Sequence, residues 1–103
     1  MLFKYEQSKG RIKLVGQLNF TSVAQLLNQG GVSFDAEQAE NGQIAIDLSE
    51  ISRCNSASLT LLLDWMKKAQ QKGVQIKYHS APTQLMIIAQ AYGIDHELPL
   101  TTA

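Results

Sequence analysis

The side chains most able to do chemistry in this sequence form one short run, Asn55-Ser56-Ala57-Ser58. The run follows an apolar, strand-like stretch and opens a long segment with helical spacing. It therefore predicts a helix amino terminus, where free backbone amides and the positive end of the helix dipole suit an anion or a hydrogen bond from a partner. The alternative is that Asn55 or Ser56 is only the amino-terminal cap, and the local pattern alone favours that interpretation.

The other reactive side chains do not form a recognisable site. His79 and His96 have no cysteine or carboxylate neighbours at metal-ligand spacing, so we expect both to be structural or solvent-facing. Cys54 has no basic neighbour and is interpreted as a small buried hydrophobe at a strand end. No glycine-rich phosphate or dinucleotide loop is present. We therefore expect no catalytic residue, no metal and no cofactor, and we predict that the protein is not an enzyme.

The composition is that of one small globular domain. The chain has 103 residues, of which 45% are hydrophobic and 17% are charged, enough for a single core. Nine basic and nine acidic residues balance, which argues against nucleic-acid binding. The single cysteine, the polar amino terminus and the lack of a long apolar stretch predict a cytoplasmic protein without direct membrane insertion.

Strands and helices alternate along the chain. Alternating polarity predicts strands over 3–6, 11–15 and 74–78, and the apolar run 44–48 predicts a strand buried on both faces.

Helical spacing predicts three helices: 20–28 with a capping box between Ser22 and Gln25, 55–72 closed by Gly73, and one from Ser80 to Gly93. Residues 30–42 are predicted to form a surface loop, to which Ala36 to Ala39 could add a helical turn, and 94–103 a short, loosely packed tail. The order β-β-α-β-α-β-α predicts a single α/β domain over 1–103, with a mixed four-stranded sheet packed against helices.

The segment from Asp47 onward resembles the STAS domain family, whose members include bacterial anti-sigma-factor antagonists. That family carries a strand ending in Asp-Leu-Ser, then Asp-Ser-Ser-Gly-Leu, then a helix. The counterparts in this chain are Asp47-Leu48-Ser49 and Asn55-Ser56-Ala57-Ser58-Leu59. In the antagonists the hydroxyl after the second Asp is phosphorylated, so the resemblance implies that Ser56 is a candidate phosphorylation or switch position. Asn55, Ala57 and Ser58 depart from the motif, which weakens the case for a phosphorylation switch.

Within the family, the chain resembles the MlaB group, the small STAS subunits of Mla-type phospholipid ABC transporters. This similarity rests on three short stretches: Gly16-Gln17-Leu18-Asn19, Leu61-Leu62-Leu63 and Ala89-Gln90-Ala91-Tyr92-Gly93-Ile94. It implies a cytoplasmic subunit, peripheral to the inner membrane, that binds the transporter's ATPase subunit. Such a subunit supports complex assembly, lipid transport between the membranes and outer-membrane lipid asymmetry. The alternative function is an anti-sigma-factor antagonist regulated by phosphorylation of Ser56.

The long helix has one face that must meet the sheet. At about 100° per residue, the stripe predicted to face the sheet comprises Leu59, Leu62, Leu63, Met66 and Ala69. Leu61 and Trp65 lie outside this stripe and form a plausible interface anchor, since Trp is enriched at binding hot spots. The alternative is that the domain's own loops or the segment 30–42 cover them. Together with the resemblance, this predicts the partner-binding residues Asn55, Ser56, Ala57, Ser58, Leu61 and Trp65.

Overall fold

The computed structural model describes residues 3–29 and 32–101, and the order of elements in these residues is the predicted β-β-α-β-α-β-α. The strands are β1 (Phe3–Ser8), β2 (Arg11–Leu18), β3 (Gln43–Cys54) and β4 (Gln75–His79). The helices are α1 (Phe20–Gln29), α2 (Ala57–Gln71) and α3 (Thr83–Ala91), and a short 3-10 turn spans Ala36–Gln38. The α/β fold class is thereby confirmed.

The four strands form one mixed sheet in the order β1-β2-β3-β4. β1 is antiparallel to β2 through a two-residue turn, whereas β2, β3 and β4 are parallel. Parallel neighbours require crossover connections, which α1 and α2 supply. Because these crossovers run in the same direction across the sheet, α1 and α2 share one face and contact each other. Both helices therefore begin at the carboxyl ends of adjacent strands.

The two faces of the sheet differ in burial. One face supplies the centre of the core, including Ile12, Leu14 and Ile46, which are all fully buried. Alternate residues on the opposite face remain partly or fully accessible, among them Lys13 and Asp47. The sequence analysis predicted that residues 44–48, which form part of β3, are buried on both faces. That prediction is therefore wrong.

Ion pairs occupy the accessible face instead of apolar contacts. Arg11 Nη2 lies 2.6 Å from Asp47 Oδ2, and Lys13 Nζ lies 2.7 Å from Glu50 Oε2. Burial raises the pKa of Asp47, but hydrogen bonds from Ser49 and the pairing with Arg11 outweigh it and hold that pKa at about 2. Asp47 thus stays charged across the neutral range.

The segment between α1 and β3 is more than a surface loop. Phe34 and Ala39 are buried, and the Phe34 ring meets the Trp65 ring edge-on with 5.6 Å between centroids. The prediction of a surface loop over 30–42 is therefore wrong for these residues, because their apolar side chains complete the core beside α2. Gly30 and Gly31 lie outside the described residues.

The tail is held to the sheet more tightly than predicted. Leu98 is buried, and Leu100 forms a parallel bridge with Tyr78. Tyr78 N donates to Pro99 O at 3.0 Å, and Thr101 N donates to Tyr78 O at 2.9 Å. These bonds cover the β4 edge of the sheet, so the tail has a structural role.

Candidate functional site

The run singled out in the sequence lies where α2 begins, at the carboxyl end of β3. Asn55 N donates to Leu18 O at 3.2 Å, which ties this point to the end of β2. Asn55 Oδ1 accepts a hydrogen bond from Ala57 N at 2.9 Å, the geometry of an amino-terminal cap. Asn55 is therefore the cap, and asparagine and aspartate are about equally suited to that position.

In the first turn of α2, backbone amides that the sequence predicted to be free donate hydrogen bonds within the chain. Ser58 N donates to Asn55 O at 3.0 Å, and Leu59 N donates to Ser56 O at 3.1 Å. The buried Ser58 hydroxyl also donates to Asn55 O, at 2.6 Å. Because Asn55 already binds the Ala57 amide, little donor capacity remains for an anion. The half-buried Ser56 makes no capping hydrogen bond with its hydroxyl.

Four of the six predicted partner-binding residues do not reach the surface. Ala57, Ser58, Leu61 and Trp65 are 4%, 0%, 0% and 2% exposed. The outward orientation predicted for Leu61 and Trp65 is therefore wrong, and the alternative that residues of 30–42 cover Trp65 is confirmed by its contact with Phe34.

The prediction for Leu63 is also wrong, because it is 38% exposed rather than packed on the sheet. The buried side of α2 is rotated by roughly a quarter of a turn from the predicted stripe. The reason is that α2 packs against α1 and Phe34 as well as against the sheet. A helix with neighbours on two sides buries an arc centred between them.

The outward side of α2 includes four residues that we call the outer stripe: Ser56, which immediately precedes the helix, Thr60, Leu63 and Lys67. They recur at three- and four-residue spacing, so they lie in one row along the helix. The sequence pattern did not predict the last three as outward-facing candidates for binding. One feature of the sequence does indicate the buried side: Leu61 and Ala69 lie one turn before and after Trp65. A stripe that contains the largest apolar side chain is the better candidate for burial.

A buried hydrogen bond fixes the inner side of α2 to the sheet. Tyr78 Oη donates to Leu62 O at 2.6 Å. Burial, together with the nearby charge of Asp64, raises the pKa of the Tyr78 hydroxyl well above its usual value. Tyr78 therefore stays neutral and acts as a donor to α2.

The start of α1 lies beside this site, because β2 and β3 are neighbours. Asn19 Oδ1 accepts from Ser22 N, and Ser22 Oγ accepts from Asn19 N, both at 3.0 Å. This reciprocal pair takes the place of the capping box predicted between Ser22 and Gln25. It leaves Phe20, the first residue of α1, 71% exposed.

The remaining reactive residues in the described part of the chain do not form a metal site. Cys54 is buried, as predicted, and that burial raises the pKa of its thiol. Within 3–29 and 32–101, no three or more His, Cys, Asp or Glu side chains are arranged to hold a metal ion. Over the same ranges, no helix has both the length and the apolar character needed to cross a membrane.

Comparison with known proteins gives the family. The sequence matches the family model described as "Mlab, STAS domain" over residues 1–102. No curated protein matches it at a significant level.

Several solved structures share the fold, and two of SpoIIAA are among them. The anti-sigma factor antagonist SpoIIAA in its unphosphorylated form is 14% identical with a TM-score of 0.69, covering 97% of this chain and 88% of that one. The Bacillus cell fate determinant SpoIIAA in the phosphorylated form is 16% identical with a TM-score of 0.63, covering 97% and 91%. With the sheet order and the position of Ser56 at the start of α2, the family match leads to one conclusion: this chain belongs to the STAS domain family.

Proposed function

We propose that this chain is a non-catalytic, cytoplasmic STAS subunit that binds the ATPase subunit of an Mla-type phospholipid ABC transporter. In this role it supports assembly and activity of the complex at the inner membrane, and hence intermembrane lipid transport and outer-membrane lipid asymmetry. The observation that carries the proposal is the match of residues 1–102 to the family model that bears the Mlab description. STAS domains are regulatory and binding modules, which suits the non-catalytic role proposed.

The proposed contact surface is the outer stripe together with the exposed start of α1. Ser56 offers a hydroxyl that has no capping role, and Leu63 offers an apolar contact about two turns further along the same row. Phe20 adds a large exposed ring at the start of the neighbouring helix. Because aromatic residues are enriched at the buried centre of interfaces and polar groups at the rim, Phe20 is the candidate anchor and the Ser56 hydroxyl a polar contact.

The geometry of the first turn favours a neutral hydrogen bond at Ser56 over anion binding. The amides of Ala57, Ser58 and Leu59 already have acceptors within the chain. The hydroxyl of Ser56 can donate to a carbonyl or accept from an amide of the ATPase subunit. Because α2 is capped by Asn55 and anchored by the core, the hydroxyl is presented on a rigid element, which lowers the entropic cost of binding.

Co-purification with the ATPase subunit tests this proposal. We expect Ser56→Ala and Leu63→Arg each to weaken binding by about tenfold or more, the cost of losing or desolvating one central contact, and to lower the ATPase rate of the complex. Ser8→Ala is the matched control, because Ser8 is exposed and lies at the opposite end of the sheet, beside the turn to Arg11. Wild-type binding and an unchanged ATPase rate in both variants would contradict the proposal.

The alternative function is that of an anti-sigma-factor antagonist regulated by phosphorylation of Ser56. It is favoured by the likeness to SpoIIAA, which has been solved in both unphosphorylated and phosphorylated forms. A phosphate on Ser56 would lie at the positive end of the α2 dipole, where negative charge is stabilised. Mass spectrometry after incubation with a cognate anti-sigma kinase tests this function. Phosphate on Ser56 would support it, and an unmodified Ser56 would count against it.

A further inference from the structure

The tail pairs with one edge of the sheet, but the other edge, formed by β1, is open. β1 pairs with β2 on one side only. In the part of the chain that the structure describes, no strand lies on its other side. An exposed strand edge presents unpaired N–H and C=O groups that can pair with another chain.

The hydrogen bonds of Gly10 show which β1 groups are free. Gly10 N donates to Gln38 O at 2.7 Å and Gly10 O accepts from Ala45 N at 2.9 Å, so the backbone groups of Gly10 point away from β1. Because these groups alternate along a strand, those of Arg11, Lys13 and Val15 point towards β1. Their partners in β1 are Ser8, Glu6 and Lys4. The N–H and C=O groups that point outward are therefore those of Phe3, Tyr5 and Gln7.

A side-chain contact holds this edge in place without blocking those groups. Gln7 Nε2 donates to Ser33 O at 2.7 Å, and Ser33 N donates to Gln7 Oε1 at 3.0 Å. No backbone hydrogen bond from the described residues reaches the outward groups of β1. Lys4, Tyr5 and Glu6 are all exposed.

We propose that β1 pairs antiparallel with β1 of a second copy of this chain, about a two-fold axis at Tyr5. In this register Tyr5 lies opposite Tyr5 of the second copy, and Phe3 lies opposite its Gln7. These pairs are the ones whose backbone groups point outward, so each forms the hydrogen-bonded type of antiparallel pair. The result is a continuous eight-stranded sheet with its two accessible faces on the same side.

The charges of Lys4 and Glu6 favour this register over the two registers whose axis is shifted by one residue. A shift of the axis by one residue to Lys4 would place Lys4 opposite Lys4, and a shift to Glu6 would place Glu6 opposite Glu6. Both oppose like charges, which destabilises a strand pair. With the axis at Tyr5, Lys4 of each copy lies opposite Glu6 of the other, in the closely spaced non-hydrogen-bonded pairs. An axis midway between residues is excluded, because it would set outward groups against inward ones.

Sedimentation equilibrium of the full chain over a concentration series tests the pairing. We expect the wild-type protein to associate to a dimer below ~1 mM, the weak affinity usual for a small interface. Lys4→Glu and Glu6→Lys should each weaken the dimer by about tenfold or more, since each replaces two attractive cross-strand pairs by two repulsive ones. Lys77→Glu, an equal charge change on β4, is the control and should leave the dimer unchanged.

An equimolar mixture of the two charge variants gives the most specific result. In the Glu6→Lys variant, positions 4 and 6 of β1 are both lysine, and in the Lys4→Glu variant both are glutamate. A dimer of one copy of each variant therefore has two attractive cross-strand pairs again. We expect the heterodimer to form at wild-type affinity, while circular dichroism shows each variant folded. The pairing is overturned if the wild-type chain stays monomeric up to ~1 mM, or if both single variants associate as the wild type does. The outer stripe is untouched in these variants, so binding of the ATPase subunit is measured independently.

Discussion

Leucine occurs on both sides of α2, but the two sides lie in opposite positions in the molecule. Leu61 and Trp65 on the inner side are 0% and 2% exposed, whereas Leu63 on the outer side is 38% exposed. A step of two residues along the helix thus separates a core residue from a surface residue. Hydrophobicity identifies α2 as an amphipathic helix, but it does not decide which leucine is available to a partner.

The largest expected effect comes from removing the inner aromatic side chain. We expect Trp65→Ala to lower the free energy of unfolding by about 3–5 kcal/mol, because it leaves a cavity against Phe34. Leu63→Ala, the control on the outer side, should cost less than about 1 kcal/mol. Urea denaturation measures both. Similar losses in the two variants would contradict the division of α2 into an inner and an outer side.

A smaller loss is expected from the hydrogen bond that anchors the inner side. Tyr78→Phe removes the hydroxyl that donates to Leu62 O at 2.6 Å and should destabilise the protein by about 1–2 kcal/mol. Tyr92→Phe is the matched control, because Tyr92 is 63% exposed. Thermal or urea unfolding compares them. Equal stability of the two variants would show that the bond to Leu62 adds nothing.

We expect the amino-terminal cap of α2 to contribute about as much to the free energy of unfolding as such caps usually do. Asn55→Ala should cost about 1 kcal/mol, since the Ala57 amide loses its acceptor, while Asn55→Asp should keep stability within about 0.5 kcal/mol. These two variants distinguish capping from partner recognition. If Asn55→Asp folds normally but no longer binds the ATPase subunit, Asn55 contacts the partner directly. A stable Asn55→Ala variant would contradict the capping role.

The smallest effect on stability is expected on the outer stripe. Thr60→Arg should change the free energy of unfolding by no more than about 0.5 kcal/mol, because Thr60 is exposed. In a co-purification assay the same change should weaken binding of the ATPase subunit, since the bulk lies between Ser56 and Leu63. A loss of stability above about 1.5 kcal/mol would instead show that this side of α2 is packed within the domain.

Periodic patterns predicted the elements well where burial follows a simple alternation. The two-residue period of Arg11–Val15 and the helical spacing of α1 both lie where the structure has them. The pattern failed for the second half of β3, which continues from Ser49 to Cys54. In that half the pairing with β2 shifts register twice. Polar residues also interrupt the apolar run, so the pattern does not predict a strand beyond Leu48.

The sequence alone was sufficient to identify the family and the limits of α2. Asn55 caps its start, and at its end Gly73 adopts a left-handed φ of 72° while Val74 N donates to Ala69 O at 2.9 Å. These signals are readable in sequence because each is made by residues within one or two turns of each other.

The rotation of α2 was decided only by the tertiary structure. Trp65 is buried because Phe34, from a segment distant in sequence, covers it, and Leu63 is exposed because none of the described residues covers that side in the same way. Ser56 remained the candidate contact through this correction, whereas Leu61 and Trp65 did not. The physical reason is that an amphipathic pattern fixes the spacing of a buried stripe, but neighbouring elements fix the direction in which it points.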